Sequence, residues 1–151
     1  MMRYIVEALE PSDAAVCTNY VTEEYRSLVG TAVNTLGLSG SIYGGIRNAD
    51  EGFKVCTEDG TIVAFAAFDY HGTELMMVSY FIAKKFRRTK AFYLLSKTLL
   101  PFIVVSTKVT YIPLSGNMSI PGSVCYDNKI HIAKYTKAFE LLEKRWGDGK
   151  Q

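Results

Sequence analysis

Five cations stand almost side by side in this chain. Lys84, Lys85, Arg87, Arg88 and Lys90 fall within seven residues that contain no acid. The apolar run Thr73 to Ile82 leads into them, and an amphipathic run comes after. A strand that enters a cationic helix start can bind an anion, because unpaired backbone N–H groups and the helix dipole point the same way. Three readings of the cluster stay open: a solvated helix start, a phosphate or coenzyme contact, and a nucleic-acid contact.

Other residue types that do chemistry are sparse. Glu74 opens the strand before the cations and could serve as a general base for an amine; a surface charge at a strand edge is the plainer reading. Cys125 with His131 suggests a nucleophile and base. Cys17, Cys56, His71 and His131 suggest a metal set, but their spacings match no metal clip. Cysteine by default behaves as a small buried hydrophobe. His71 falls in a turn. No metal is expected.

The 151 residues suit one domain, 1–151. Hydrophobic residues make up 48% and charged residues 21%, enough for a core and against disorder. The net charge of +2 conceals a polarity. Leu75 to Tyr126 holds seven Lys or Arg and no acid, while the flanks hold the other ten cations and all fifteen acids. Such a middle could steer an anionic ligand, or it could reflect core strands that simply lack acids. Three cysteines without a CxxC pattern point to a reduced compartment, hence the cytoplasm. There is no signal-peptide pattern, and no apolar run approaches the roughly 20 residues of a spanning helix.

Periodicity supplies the elements. Arg3 to Leu9 alternates as a strand; Pro11-Ser12-Asp13 is a turn and cap; Asp13 to about Val29 is a helix. Thr31 to Asp50, rich in Gly and Ser, predicts a short helix near Thr31 to Leu36 and then a loop. In that loop Gly44-Gly45 either lets backbone approach a ligand or is flexible surface. Gly52 to Glu58, Thr61 to Asp69 and Thr73 to Ile82 form an antiparallel meander, its first turn Asp59-Gly60 of type I′. A helix from about Phe86 to Leu100 buries Phe92, Leu95, Leu99 and Phe102, and Pro101 ends it. Ile103 to Ile112 returns as a strand parallel to the third strand of the meander. Pro113 to Ser123 is a loop. Asp127-Asn128 caps a last helix with the stripe Ile132, Tyr135, Phe139, Leu142 and Trp146, which is core or a partner surface, and Gly147 stops it.

This order of elements resembles the GCN5-related N-acetyltransferase (GNAT) family over Arg3 to about Trp146. The resemblance implies an α/β (α+β) fold, a mixed and mostly antiparallel sheet with flanking helices, without the family's closing C-terminal hairpin. It also implies a bulged strand whose backbone, at Phe81, Ile82 and Ala83, would hold the pantetheine arm of acetyl-CoA. A turn at Arg87, Arg88, Thr89, Lys90 and Ala91 would wrap the pyrophosphate. Asn117 lies where the family often has an Asn, and Tyr126 is the nearest Tyr for protonating the leaving thiolate. The family's turn is patterned Arg/Gln-x-x-Gly-x-Gly/Ala; here R-R-T-K-A-F and R-T-K-A-F-Y supply neither glycine.

The expectation is therefore a degenerate acetyltransferase-like domain, not an enzyme and without a cofactor. It would act through protein contacts, as small GNAT-like domains of bacterial viruses do when they serve as accessory or virion proteins. The alternative is an active N-acyltransferase using acetyl-CoA. A further alternative is a nucleic-acid module reading phosphates through Lys84, Lys85, Arg87, Arg88 and Lys90.

Overall fold

A computed structural model describes residues 3–29, 35–111, 124–127, 137 and 139–147. Its elements are β1 (Tyr4–Ala8), α1 (Ala14–Val29), α2 (Thr35–Arg47), β2 (Glu51–Thr57), β3 (Ile62–His71), β4 (Glu74–Ile82), α3 (Lys90–Val105), β5 (Lys108–Tyr111) and β6 (Val124–Asp127). Helical residues 139–146 form α4. The strands make one six-stranded sheet in sequence order. All neighbours are antiparallel except β4 and β5, which are parallel across the α3 crossover.

The apolar run of β3 sets the layers. Ile62 to Phe68 are all buried, and alternate residues of a strand face opposite sides. Ala64, Ala66 and Phe68 pack with Leu95, Leu99 and Ile103 of α3. Phe65 and Ala67 pack with Ala14, Cys17 and Val21 of α1 and Ile46 of α2. The start of α1 is fixed by Glu10, whose N–H donates to Asp13 Oδ2 at 2.8 Å, and by Lys54 Nζ of β2 on the same oxygen at 2.8 Å.

The meander appears where its alternation places it, but the first turn differs. Positive φ occurs at Gly60 (88°) and not at Asp59, and a type I′ turn needs it at both. Thr57 N–H donates to Thr61 O and Gly60 N–H to Thr57 O, both at 2.9 Å, giving a three-residue loop with Gly60 in the left-handed position. Asp59 accepts from Thr57 Oγ1 and Thr61 N, which holds its carboxyl below the usual range, first through Thr57. The second turn carries its positive φ at Gly72 (65°).

Three further expectations are corrected. The glycine-rich stretch is the helix α2, because a missing side chain serves packing there. A Cβ on Gly45 would lie 2.6 Å from Val78 Cγ1, so glycine lets α2 settle on β4. Asn48 then closes the helix, its N–H and Nδ2 both reaching Gly44 O at 3.0 and 2.9 Å. Pro101 lies inside α3, which continues to Val105. Proline removes the amide that would reach back four residues and its ring crowds the carbonyl there, but Ile103 keeps the last turn on the core at 4% exposure. The expected strand from Ile103 is thereby shortened to β5. Residues 124–127 form the edge strand β6, paired Tyr111↔Val124 through Lys108↔Asp127; whatever Asp127-Asn128 caps falls outside the described residues, which resume at 137. Of the last stripe, Ile132 and Tyr135 lie outside the described residues. Phe139 stacks on Tyr93 with centroids 5.7 Å apart, and Glu143 accepts from Tyr93 Oη at 2.7 Å, which docks α4 on α3.

Candidate functional site

The site is built at the C-terminal half of β4. The register passes from Phe68↔Met77 to Ala67↔Ser79, so Val78 is an extra, bulged residue. It is the same residue against which Gly45 of α2 lies. A bulge bends a strand and re-aims the residues beyond it. Among the described residues β5 pairs only with Glu74–Met77, so β4 beyond the bulge has β3 beside it on one edge and no β5 strand on the other.

Backbone direction selects which groups face that open edge. Ala83 N–H donates to Val63 O at 2.9 Å while its carbonyl accepts from Phe86 N–H, so the Ala83 amide, and with it the backbone groups of Phe81 two residues earlier, point toward β3. Of the three expected residues, Ile82 alone faces the other way. Its carbonyl already accepts from Arg87 Nε at 2.9 Å. The Phe81 side chain is buried, stacked on Tyr20 and tilted against Phe65, each centroid pair 5.7 Å apart.

The basic turn bonds part of its backbone within the chain. Lys84–Phe86 form a 3-10 turn and Thr89 caps α3. Phe86 N–H donates to Ala83 O at 2.8 Å, Thr89 N–H to Phe86 O at 3.2 Å and Phe92 N–H to Thr89 O at 3.1 Å. Ala91 N–H donates to Thr89 Oγ1 at 3.3 Å, and that hydroxyl donates to Phe86 O at 2.8 Å. Among the described residues positive φ occurs at Gly60 and Gly72 only, so the turn lacks the left-handed residue that lets successive amides converge on an anion.

Arg87 is a strut. Its Nη2 pairs with Glu24 Oε1 of α1 while Nε holds Ile82 O. One guanidinium thus ties α1, the end of β4 and the turn together. It is 44% exposed, so screening keeps the pair small. Arg87→Ala is expected to lower stability by about 1 kcal/mol. Arg87→Lys is expected to lose as much, since one ammonium cannot reproduce the planar fork. Urea midpoints of the two variants check this, and full recovery by lysine would contradict it.

The other cations diverge. Lys84 and Lys85 are exposed, with Lys85 Nζ 5.5 Å from the Phe86 ring centroid. Lys90 is the first residue of α3. Arg88 lines a cleft of about 220 Å³ together with Arg87, Thr89, Phe92 and, from α4, Leu142, Arg145 and Trp146. The Arg145 guanidinium stands 5.1 Å from the Trp146 ring centroid. The α4 contribution was missed in the sequence, where Leu142 and Trp146 read only as core or partner surface and Arg145 was not singled out.

The remaining candidates lie elsewhere. Glu74 begins β4, roughly 26 Å of strand from Ile82, and pairs with Lys108 Nζ at 3.7 Å. Tyr126 sits in β6 opposite Val109, not on a helix, and Cys125 stands beside it opposite Thr110. Asn117 and His131 lie outside the described residues. His71 ends β3, exposed. Cys17 and Cys56 are buried free thiols. Burial first, and Asp13 second, push Cys17 up to about 12, and burial pushes Cys56 up as well, so neither thiol is activated as a nucleophile. Among the described residues no group of His, Cys, Asp and Glu could hold a metal, and no helix is long and apolar enough to cross a membrane.

No family model matches the sequence, and no curated protein matches it. Solved structures do match. A GNAT-family acetyltransferase from Staphylococcus aureus aligns at a TM-score of 0.58 and 10% identity, over 90% of this chain and 81% of that one. A GNAT-family acetyltransferase from Brucella melitensis, solved with acetyl-CoA, aligns at 0.56 and 9%, over 83% and 88%. The apo form of YjaB from Escherichia coli aligns at 0.54 and 12%, over 90% and 81%. The fold is that of the GNAT acetyltransferases. In this chain the bulged β4 and the turn into α3 border a cleft whose lining includes Arg87, Arg88 and Arg145.

Proposed function

We propose that this chain is an acetyltransferase-like domain that works through protein contacts rather than acyl transfer. The internal bonding of the turn supports this reading. The amides of Phe86, Thr89, Ala91 and Phe92 are bonded within the chain, whereas a pyrophosphate needs them turned outward. Arg87 is committed to Glu24 and Ile82. Phe92, a bulky side chain lining the cleft, falls at the family pattern's second small position in the register that starts at Arg87, and Tyr93 falls there in the register that starts at Arg88. Titration calorimetry with acetyl-CoA at moderate salt is the test. The expected result is no saturable binding, a Kd weaker than about 1 mM. Micromolar binding, or acyl transfer to any amine at enzyme-like rates, would sink the proposal.

A second reading, an active N-acyltransferase, draws on the bulge at Val78 and the open edge of β4 beyond it. On that reading the Ile82 amide meets the pantetheine arm, and Arg88 with Lys90 meets the pyrophosphate. The same titration decides between the two.

A further inference from the structure

We infer that the cleft between the start of α3 and residues 142–146 receives an acidic segment of a partner protein. The segment would present a carboxylate to Arg88 and Arg145 and an apolar side chain to Phe92, Leu142 and Trp146. The inference rests on the contact-mediated role proposed above and gives that role a place and a chemistry.

Size comes first. About 220 Å³ is below the roughly 300–1,000 Å³ of pockets that enclose a whole small-molecule ligand. It accommodates one or two side chains, as a peptide delivers them. Composition comes second. Arginine and tryptophan are the residues that carry binding energy at protein interfaces, and here Arg145 lies over Trp146, which pre-orients a fork suited to a carboxylate. Third, one arginine of the turn, Arg87, already takes a carboxylate as its partner, that of Glu24, from α1 and not from within the cleft.

Position favours a peptide over nucleic acid at this cleft, since the exposed cations Lys84 and Lys85 stand outside its lining. A polyphosphate backbone needs a continuous run of uncommitted cations. Arg87 is neutralised by Glu24, and Glu143 stands on α4 beside the cleft, bonded to Tyr93. A short acidic and apolar segment meets Arg88 and Arg145 without running over these acids.

The test uses the intact chain and a fluorescein-labelled peptide of alternating glutamate and leucine, followed by anisotropy. A lysine–leucine peptide, an oligothymidylate and acetyl-CoA run in parallel. The expected result is saturable binding of the acidic peptide. Arg88→Ala or Arg145→Ala should weaken it about tenfold, roughly 1.4 kcal/mol. Lys108→Ala, on the far end of the sheet, should leave it unchanged. Circular dichroism confirms that the variants of these exposed arginines are folded. The inference is overturned by absent binding, by unchanged affinity in both arginine variants, or by tighter binding of the lysine–leucine peptide or the oligothymidylate. Failure of the peptide with acetyl-CoA also silent removes this inference and leaves the contact-mediated role standing. Acetyl-CoA that binds and displaces the peptide overturns both.

Discussion

Phe68→Ala should cost about 3–5 kcal/mol, within the range for emptying a buried aromatic site. Phe68 is fully buried in the central strand. Its ring lies 6.3 Å from Phe53, 5.2 Å from Phe102 and 5.8 Å from Tyr70, centroid to centroid. These neighbours come from β2, α3 and β3, so deletion leaves a void that three elements would have to close together. Phe68 also pairs with Met77, the last residue before the bulge at Val78. The same void therefore loosens the strand segment that shapes the candidate site. Thermal unfolding should shift down by roughly 10 °C. A loss under about 1 kcal/mol would mean that the β3–α3 layer is not the main core. Phe102→Ala, which empties a half-buried position, should cost visibly less.

The parts of this fold that were legible in the sequence are those whose pattern and packing agree. The β2–β3–β4 meander was readable because Ile62 to Phe68 offers no polar face and glycine stands at both turns. The parallel return through α3 followed from the strand–helix–strand order, which makes the passage a crossover. The misreadings occur where tertiary packing overrides a local signal. Glycines mark a loop by propensity, yet Gly45 serves α2 by fitting over Val78. Pro101 ends a helix by local rule, yet Ile103 holds one more turn against the core. Val104 and Val105 look like strand residues and are exposed at the end of α3.

The site was half legible for a related reason. The cations of the turn are contiguous and visible, but what they do depends on distant residues. Glu24 stands 63 positions before Arg87. Leu142, Arg145 and Trp146 join the cleft from the other end of the chain. No spacing rule connects them. The missing glycines were visible; in the structure the turn has no left-handed residue, and the amides of Phe86, Thr89, Ala91 and Phe92 are bonded within the chain.

The second large effect is alkaline lability. Cys17 is completely buried, and burial first, with Asp13 second, raises its thiol from 9.0 to about 12. The folded chain therefore holds this proton more tightly than the unfolded chain. The stability linked to it is complete below about pH 9 and is lost as pH rises from there toward about 12. At about pH 10.5 the loss from Cys17 alone is roughly 2 kcal/mol, at about 1.4 kcal/mol per pH unit. Other groups push the same way. Burial raises Cys56, as burial and then Glu143 raise Tyr93. Burial and then Glu51 raise Tyr70 to about 12. The bond to Asp13 raises Lys54, so that ion pair too is lost at high pH. Urea midpoints at about pH 8 and about pH 10.5 measure the sum, and Cys17→Ala should visibly flatten the dependence. Equal pH dependence in the two proteins would show that the thiol ionises without unfolding the α1–β2 contact. Because the protonated thiol is also the unreactive one, the same burial predicts that alkylation of Cys17 in the native protein occurs after unfolding rather than before it. A reagent that labelled Cys17 rapidly at neutral pH would contradict both halves of the argument at once.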